Sequence, residues 1–331
     1  MEQIKTPRGF KRKTIEQTIH KKLIRWVNTI EDESLRIEAL NNSIVTGGAI
    51  TSMLLGELPN DYDVYFKNAE IAEKIANYYL KKLPEIHNDR VSNCEVRRDS
   101  NRVSIFIRSA GIAGENVDQE QYEYFEMTDG MGVSKYLDGI SSSLENKEKY
   151  TVVYMTTNAI TLSDGIQLII RFIGEPEKIH KNYDFVHTTN WYTNGQLYLN
   201  PAAMESTLSK ELKYIGSLYP ICSMFRLKKF IKRGWTITAG EMLKIAWDIN
   251  KLDLSKIDIL QDQLVGVDAA YFNQIINILK SESNQSIDRT YIFELVNRVF
   301  DEYDADEVQE LDRKSTRLNS SHITISYAVF C

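Results

Sequence analysis

The stretch from Ser43 to Phe66 leaves this chain few ways to fold. It reads Ser43-Ile44-Val45-Thr46-Gly47-Gly48-Ala49-Ile50-Thr51-Ser52-Met53-Leu54, then Leu55-Gly56-Glu57-Leu58-Pro59-Asn60, then Asp61-Tyr62-Asp63-Val64-Tyr65-Phe66. A β-branched run predicts a strand that stops at a Gly-Gly turn. A short apolar helix follows, and a Pro-Asn turn feeds a second strand that opens with two carboxylates. Alternate strand residues share a face, so Asp61 and Asp63 are expected to point the same way. Two neighbouring carboxylates repel unless a cation lies between them. Mg²⁺ is typically held by one or two carboxylates together with substrate phosphates. Backbone N–H groups at a Gly-Gly turn are suited to receive phosphate.

These parts resemble the polymerase-β-like nucleotidyltransferase superfamily, whose signature is a Gly-Gly or Gly-Ser turn, a spacer of this length, and Asp-x-Asp on a strand. Over residues 44–234 the chain is similar to nucleotidyltransferases of phage and other viral genomes. The resemblance implies transfer of a nucleoside monophosphate from an NTP to a hydroxyl, with Mg²⁺ (or Mn²⁺) as cofactor and Asp61 and Asp63 as metal ligands. It assigns Gly47 and Gly48 to the nucleotide. Ser52 follows the turn closely enough to touch phosphate, and a helix-interior Ser fits it equally. Either motif alone is weak, and a glycine turn beside an Asp-capped strand entry is the structural alternative.

Two-metal phosphoryl chemistry asks for a third carboxylate. Members of the superfamily carry it on a later strand. Asp184, in Tyr183-Asp184-Phe185, is the candidate catalytic and metal-binding residue, with Asp164 and Gln167 behind it. An Asp between aromatics is costly to bury without a partner, although a solvated sheet face would also accommodate it. Cations for the triphosphate are expected from the segment Cys222–Gly234, which reads as a helix closed by Gly234. At helical spacing Arg226, Lys229 and Arg233 fall on one face, suited to phosphate contact. A solvated basic face, or a contact to a nucleic-acid backbone, fits the same pattern. His20, His87, His180 and His187 show no metal-ligand spacing and are expected to be structural. Arg108 and Arg171 lie on expected strands, facing either way.

The remaining pattern is α+β. It predicts a mixed sheet with flanking helices, of the polymerase-β nucleotidyltransferase type, followed by a helical domain. Apolar residues at helical spacing mark helices over 13–30, 34–41 and 71–83, the last ending at Pro84. Residues 91–98 and 102–108 read as a hairpin, and 110–148 as a long insertion. Strands are expected at 150–157, 159–162, 166–173 and 183–187, with a short helix at 175–181. Asn194-Gly195 predicts a tight hairpin. The expected domains are N-terminal helices over 1–42, a catalytic domain over 43–200, a helical domain over 201–311, and a tail over 312–331. That tail, Asp312 to Cys331, resembles the conceptual translation of a sequencing adapter and is set apart from fold reasoning.

Composition narrows the partners. The net charge of −6 argues against a broad nucleic-acid-coating surface, while a local basic patch remains compatible with an RNA or DNA acceptor. A nucleic-acid 3′ end is the favoured acceptor. A protein hydroxyl, a small molecule, and a catalytically inactive nucleotide- or RNA-binding module are the alternatives. No run of about 18 apolar residues is present, so no membrane span is expected. Cys94 and Cys222 show neither metal spacing nor a disulfide framework, which fits a reducing cytoplasm.

Overall fold

A computed structural model describes residues 9–86, 94–99, 102–107, 150–155 and 158–254, with positions 256, 259 and 263. His87, Arg108, the expected insertion over 110–148 and the tail from 312 lie outside these residues. The chain divides into two compact units, Met1–Ile249 and Asn250–Cys331. All the candidate site residues belong to the first unit.

Helix α1 (Arg12–Val27) buries Ile15, Ile19, Leu23, Trp26 and Val27 along one face. Helix α2 (Glu33–Asn42) starts at Asp32, whose side chain accepts from the Leu35 N–H and so satisfies one of the helix's open donors. Strand β1 (Ser43–Thr46), helix α3 (Gly48–Leu54) and strand β2 (Tyr62–Phe66) follow. Helix α4 (Ala69–Ile86) is capped by Asn68, whose Oδ1 accepts from the Ile71 N–H at 3.0 Å. Its backbone stays helical beyond Pro84, two residues past the expected end.

Strands β3 (Cys94–Asp99) and β4 (Arg102–Ile107) form the expected hairpin as a separate pair. Then come β5 (Val152–Met155), β6 (Ala159–Leu162), β7 (Ile166–Ile173), α5 (Pro176–His180), β8 (Trp191–Thr193) and β9 (Gln196–Tyr198). Among the described residues the main sheet has seven strands in the order β5-β6-β7-β2-β1-β8-β9. It is mixed: β2 and β7 run parallel, and the other neighbours are antiparallel. The β8–β9 turn uses Asn194 and Gly195 at φ 50° and 81°, the left-handed pair that matches strand twist.

One sheet face is covered by α1, α2 and α4. Val45, Val64, Phe66, Ile166, Leu168 and Ile170 pack there with Trp26 and Ile75 in a single core. Each such side chain is worth about 1.5–3 kcal/mol of burial. Trp26 Nε1 donates to the Tyr79 hydroxyl at 2.8 Å, so the polar ends of this face are also satisfied. Asp63, Tyr65, Gln167 and Ile169 belong to the opposite face by alternation. Ile44, Tyr65 and Ile179 form a small core there, joined by Tyr183 and Trp191.

The segment expected as a strand at 183–187 is not one. Phe185 makes an isolated antiparallel bridge with Tyr214, and Val186–Thr188 form a 3₁₀ turn. Hydroxyls of Thr188 and Thr189 donate to the carbonyls of Phe185 and Val186, each at 2.7 Å, taking acceptors that a ladder would need. Beyond it, α6 (Pro201–Ser209), α7 (Pro220–Lys232) and α8 (Ala239–Asn250) are helical, as expected. Two-residue strands β10 (Glu211–Leu212) and β11 (Thr236–Ile237) pair in parallel between them. Among the described residues no helix is long and apolar enough to cross a membrane.

Candidate functional site

Gly47 ends β1 with φ +93°, a conformation that L side chains rarely adopt. A Cβ there would meet Asp63 Oδ2 at 3.0 Å and the Tyr183 hydroxyl at 3.8 Å. The glycine turn and the second motif carboxylate are therefore in contact. The cause is register: Thr46 pairs with Asp63 across β1 and β2, and the chain turns immediately after that pair. The Gly47 N–H is already committed to the Thr188 carbonyl at 3.1 Å. Gly48 is the more open of the two, with nothing within 4 Å of where its Cβ would sit. Ser52 lies partly buried inside α3.

Asp61 precedes β2 and is exposed; Asp63 is partly buried within the strand. Burial first, and then the nearby Asp61 charge, push the Asp63 carboxyl up to about 7 against the pull of the Arg226 guanidinium. A buried carboxyl raised by a neighbouring carboxylate fits a hard divalent cation. The oxygen-only donor set suits Mg²⁺ or Mn²⁺ in the same way.

The neighbour of Asp63 on β7 is Gln167, which in turn pairs with Thr161 on β6. The structure thus sets Gln167 beside the motif pair on the same face. Asp164 instead occupies the β6–β7 turn at φ 61°. Its carbonyl accepts a hydrogen bond from the Lys22 ammonium.

Asp184 is paired with the basic helix. Its Oδ2 accepts from Arg226 Nη1 at 2.6 Å, and its Oδ1 accepts from the Phe185 N–H at 3.1 Å. The Asp184 side chain is 8% exposed and that of Arg226 40%. Among the described residues no group of three or more His, Cys, Asp or Glu side chains is arranged to hold a metal ion. Asp61 and Asp63 therefore stand near each other, and Asp184 stands with Arg226.

Helix α7 carries the expected basic face. It ends as the sequence implied: Gly234 takes φ +80°, its N–H bonds Ile231 O, and the Trp235 N–H bonds Phe230 O, each at 3.0 Å. That is a Schellman closure. Lys229 lies in the last turns and Arg233 at the C-cap. Arg171, on β7, hydrogen-bonds the Tyr219 hydroxyl and stacks its guanidinium 4.9 Å from that ring. Tyr219 is the N-cap of α7, so Arg171 joins the sheet to the start of the basic helix.

Aromatic and histidine side chains back the site, and the motif reading did not anticipate them. Tyr65 and Tyr183 lie 6.1 Å apart, and Tyr183 lies 5.1 Å from His180. Burial raises both phenols further above their ordinary range, so both stay protonated. Burial also lowers His180 to about 4, against the pull of Glu177, leaving it neutral near pH 7. Thr46 donates to the Asn190 carbonyl at 2.8 Å, so it accepts from His180 Nε2–H at 2.9 Å. His187 is fully buried among Phe230, Trp235 and Phe185 and is likewise lowered to about 4 by burial. His20 Nδ1 lies 3.2 Å from the Tyr192 hydroxyl. Alternation along β2 places Tyr65 on the face of Asp63, and that was the one available sequence signal for it.

Among curated proteins none matches this chain. Several solved structures are similar in part, three enzymes among them. A tRNA-processing enzyme with CTP shares 11% identity at a TM-score of 0.34, covering 72% of this chain and 52% of its own. The Thermotoga maritima CCA-adding enzyme complexed with tRNA shares 12% identity at 0.36, covering 79% and 53%. A CCA-adding enzyme in an apo form shares 12% identity at 0.37, covering 78% and 50%. This chain spans about half the length of those enzymes. Residues 17–210, more than half of the chain, match the model of the Gabija anti-defense 2 family. They include β1, α3, β2, β7 and Asp184, so the chain belongs to that family.

Proposed function

We propose that this protein is a metal-dependent nucleotidyltransferase of the polymerase-β type. The observation that carries the reading is the contact between the Gly47 turn and Asp63, with Asp61 beside it and the Arg226 guanidinium within electrostatic reach. Carboxylates for a cation, an open backbone turn for phosphate and a fixed positive charge then serve one ligand, a magnesium-bound NTP.

Asp61 and Asp63 hold the cation. When bound, Mg²⁺ supplies neutralisation of phosphate charge and polarisation of the α-phosphorus. Gly48 and Ser52 border the triphosphate, and Arg226, Lys229 and Arg233 meet its outer oxygens. The acceptor hydroxyl attacks the α-phosphorus in line. A new oxygen–phosphorus bond forms as the bond to pyrophosphate breaks, and the hydroxyl proton passes to a site carboxylate and on to water. Tyr65, Tyr183 and His180 stay uncharged and keep the floor of the site rigid. The favoured acceptor is a nucleic-acid 3′ end. The family is named for countering the Gabija defence, and the reaction is proposed to serve that end.

A second reading keeps the fold and the nucleotide but not the transfer. It draws on the pairing of Asp184 with Arg226, which leaves two acidic groups beside Gly47. One experiment separates the two. The full chain is incubated with each α-³²P-labelled NTP, Mg²⁺ and a whole-cell extract, and labelled RNA, DNA, protein and small molecules are resolved. Label on any acceptor, dependent on Asp61 and Asp63, supports transfer. Nucleotide binding without label in any fraction supports the binding module.

A further inference from the structure

We infer that Asp184 is the positioning residue for Arg226, holding its guanidinium toward the phosphate site, and that Asp184 is not a ligand of the metal. The inference rests on the proposed nucleotide site and assigns one of its residues a different task. Both oxygens of Asp184 are in use, Oδ2 with Arg226 at 2.6 Å and Oδ1 with the Phe185 N–H at 3.1 Å. Its backbone is fixed as well. The Asp184 carbonyl accepts from Ile215 N–H at 2.8 Å, and Val186 N–H donates to Lys213 O at 3.0 Å. The carboxylate is buried, and a buried charge holds its partner because separation would leave it uncompensated.

The contact is doubled by apolar packing. Phe185 is fully buried and meets Phe230 edge to face at 5.8 Å. Arg226 and Phe230 are four residues apart on α7, one turn, and so share a face. The dipeptide Asp184-Phe185 therefore grips α7 through a polar pair and an apolar pair on adjacent turns. Arg226 is set in one orientation with its other N–H donors unspent on Asp184. Such preorganisation is what makes a fixed cation effective toward a developing phosphate charge.

On the metal side, Asp184 is not gathered with Asp61 and Asp63 among the described residues. The strand position next to Asp63 belongs to Gln167, which is neutral. Asp61 and Asp63 would then hold one cation, and the Arg226 guanidinium would supply the second positive charge.

A double-mutant cycle on nucleotide binding tests this. Affinity of the full chain for a fluorescent ATP analogue is measured at saturating Mg²⁺, with the half-saturating Mg²⁺ measured beside it. The variants are Asp184→Asn, Arg226→Ala, their combination, and Asp61→Asn as the metal-ligand reference. Asp184→Asn should weaken the analogue roughly tenfold and leave half-saturating Mg²⁺ unchanged. The combination should bind as Arg226→Ala alone does. A rise in half-saturating Mg²⁺ for Asp184→Asn that matches Asp61→Asn would overturn the role, as would additive losses in the combination. If melting shows that Asp184→Asn does not fold, Asp184→Glu keeps the charge one methylene away. It should weaken the analogue without moving half-saturating Mg²⁺, and a moved Mg²⁺ response would again overturn the role. A wild-type chain that binds no nucleotide overturns the proposed function and this role with it. Binding with additive losses overturns this role alone.

Discussion

Asp63 should make the folded protein less stable near neutral pH than an uncharged residue in its place, and the deficit can be measured. In the unfolded chain its carboxyl has the ordinary value of 3.8; in the fold, burial and then Asp61 push it up to about 7. Between these values the native state holds a proton that the unfolded state has lost. Stability therefore falls as pH rises through this window, and the full penalty is present above about pH 7. At about 1.36 kcal/mol for each tenfold change in acidity, the ceiling is about 4 kcal/mol. Asp63 is only partly buried, and solvent screening lowers the expected value to about 1–2 kcal/mol.

Asp63→Asn keeps the shape and removes the titration. At pH 8 the variant should be more stable than wild type by that amount, an increase in Tm of about 3–6 °C for a unit of this size. The gain should fade as the pH approaches 4. The assay is thermal or urea unfolding of both proteins at pH 8, 6.5 and 5 without divalent cations, read as the difference between them. Adding Mg²⁺ and ATP at pH 8 should reverse the order, because only wild type gains a ligand that binds the native state. A variant that is less stable than wild type by a constant amount at every pH would refute the reasoning. Asp63 would then be held by favourable contacts, not by its environment's tolerance of an awkward charge.

Other changes probe the rest of the site. Gly47→Ala forces a side chain into φ +93° and to 3.0 Å from Asp63 Oδ2; it should cost about 1–3 kcal/mol in urea unfolding and weaken ATP binding, and an unchanged midpoint would refute the contact. Lys229→Ala or Arg233→Ala should weaken ATP roughly tenfold and AMP much less, by titration of each nucleotide. Equal losses would remove these residues from the outer phosphates, and a loss for RNA alone would move them to the acceptor. A chain ending at Leu311 should match the full chain in Tm and ATP affinity, and a drop of several degrees would show that the tail packs.

The local pattern was legible wherever a residue's partners lie close in sequence. Strand β1, the Gly47 turn, α3 and β2 follow from one continuous stretch, and Asn194-Gly195 announces its hairpin because only such residues take φ > 0 cheaply. The basic face of α7 and its closure at Gly234 were readable for the same reason. What failed was the segment around Asp184. Its alternation of aromatic and polar residues reads as a strand, yet two threonine hydroxyls take the carbonyls and turn the chain. The link from Asp184 to Arg226 spans 42 residues, and no periodicity reports a pairing at that separation. Gln167 was a minor candidate for a similar reason. Its place beside Asp63 depends on the parallel register of β2 with β7, which is a property of the assembled sheet.

The charges around the Gly47 turn do not balance, and the imbalance bears on how the site binds. Asp61, Asp63 and Asp184 stand against Arg226, and Arg226 is already committed to Asp184. On the proposed function, a triphosphate brought alone would meet Arg226, Lys229 and Arg233 at its outer oxygens but the two carboxylates nearer the α-phosphorus, and repulsion there would oppose it. A cation brought alone would find two carboxylates, one of them partly protonated near neutral pH, and too few ligands to complete its shell. Each ligand repairs what the other lacks. On the proposed function, Asp61 and Asp63 would be neutralised by the cation, and the phosphates would supply the remaining oxygens. Binding of the two should therefore be mutually dependent, with each tightening the other by the same factor. Arg226, already paired with Asp184, would then meet the assembled magnesium nucleotide, and the only charge to be imported would be the metal's.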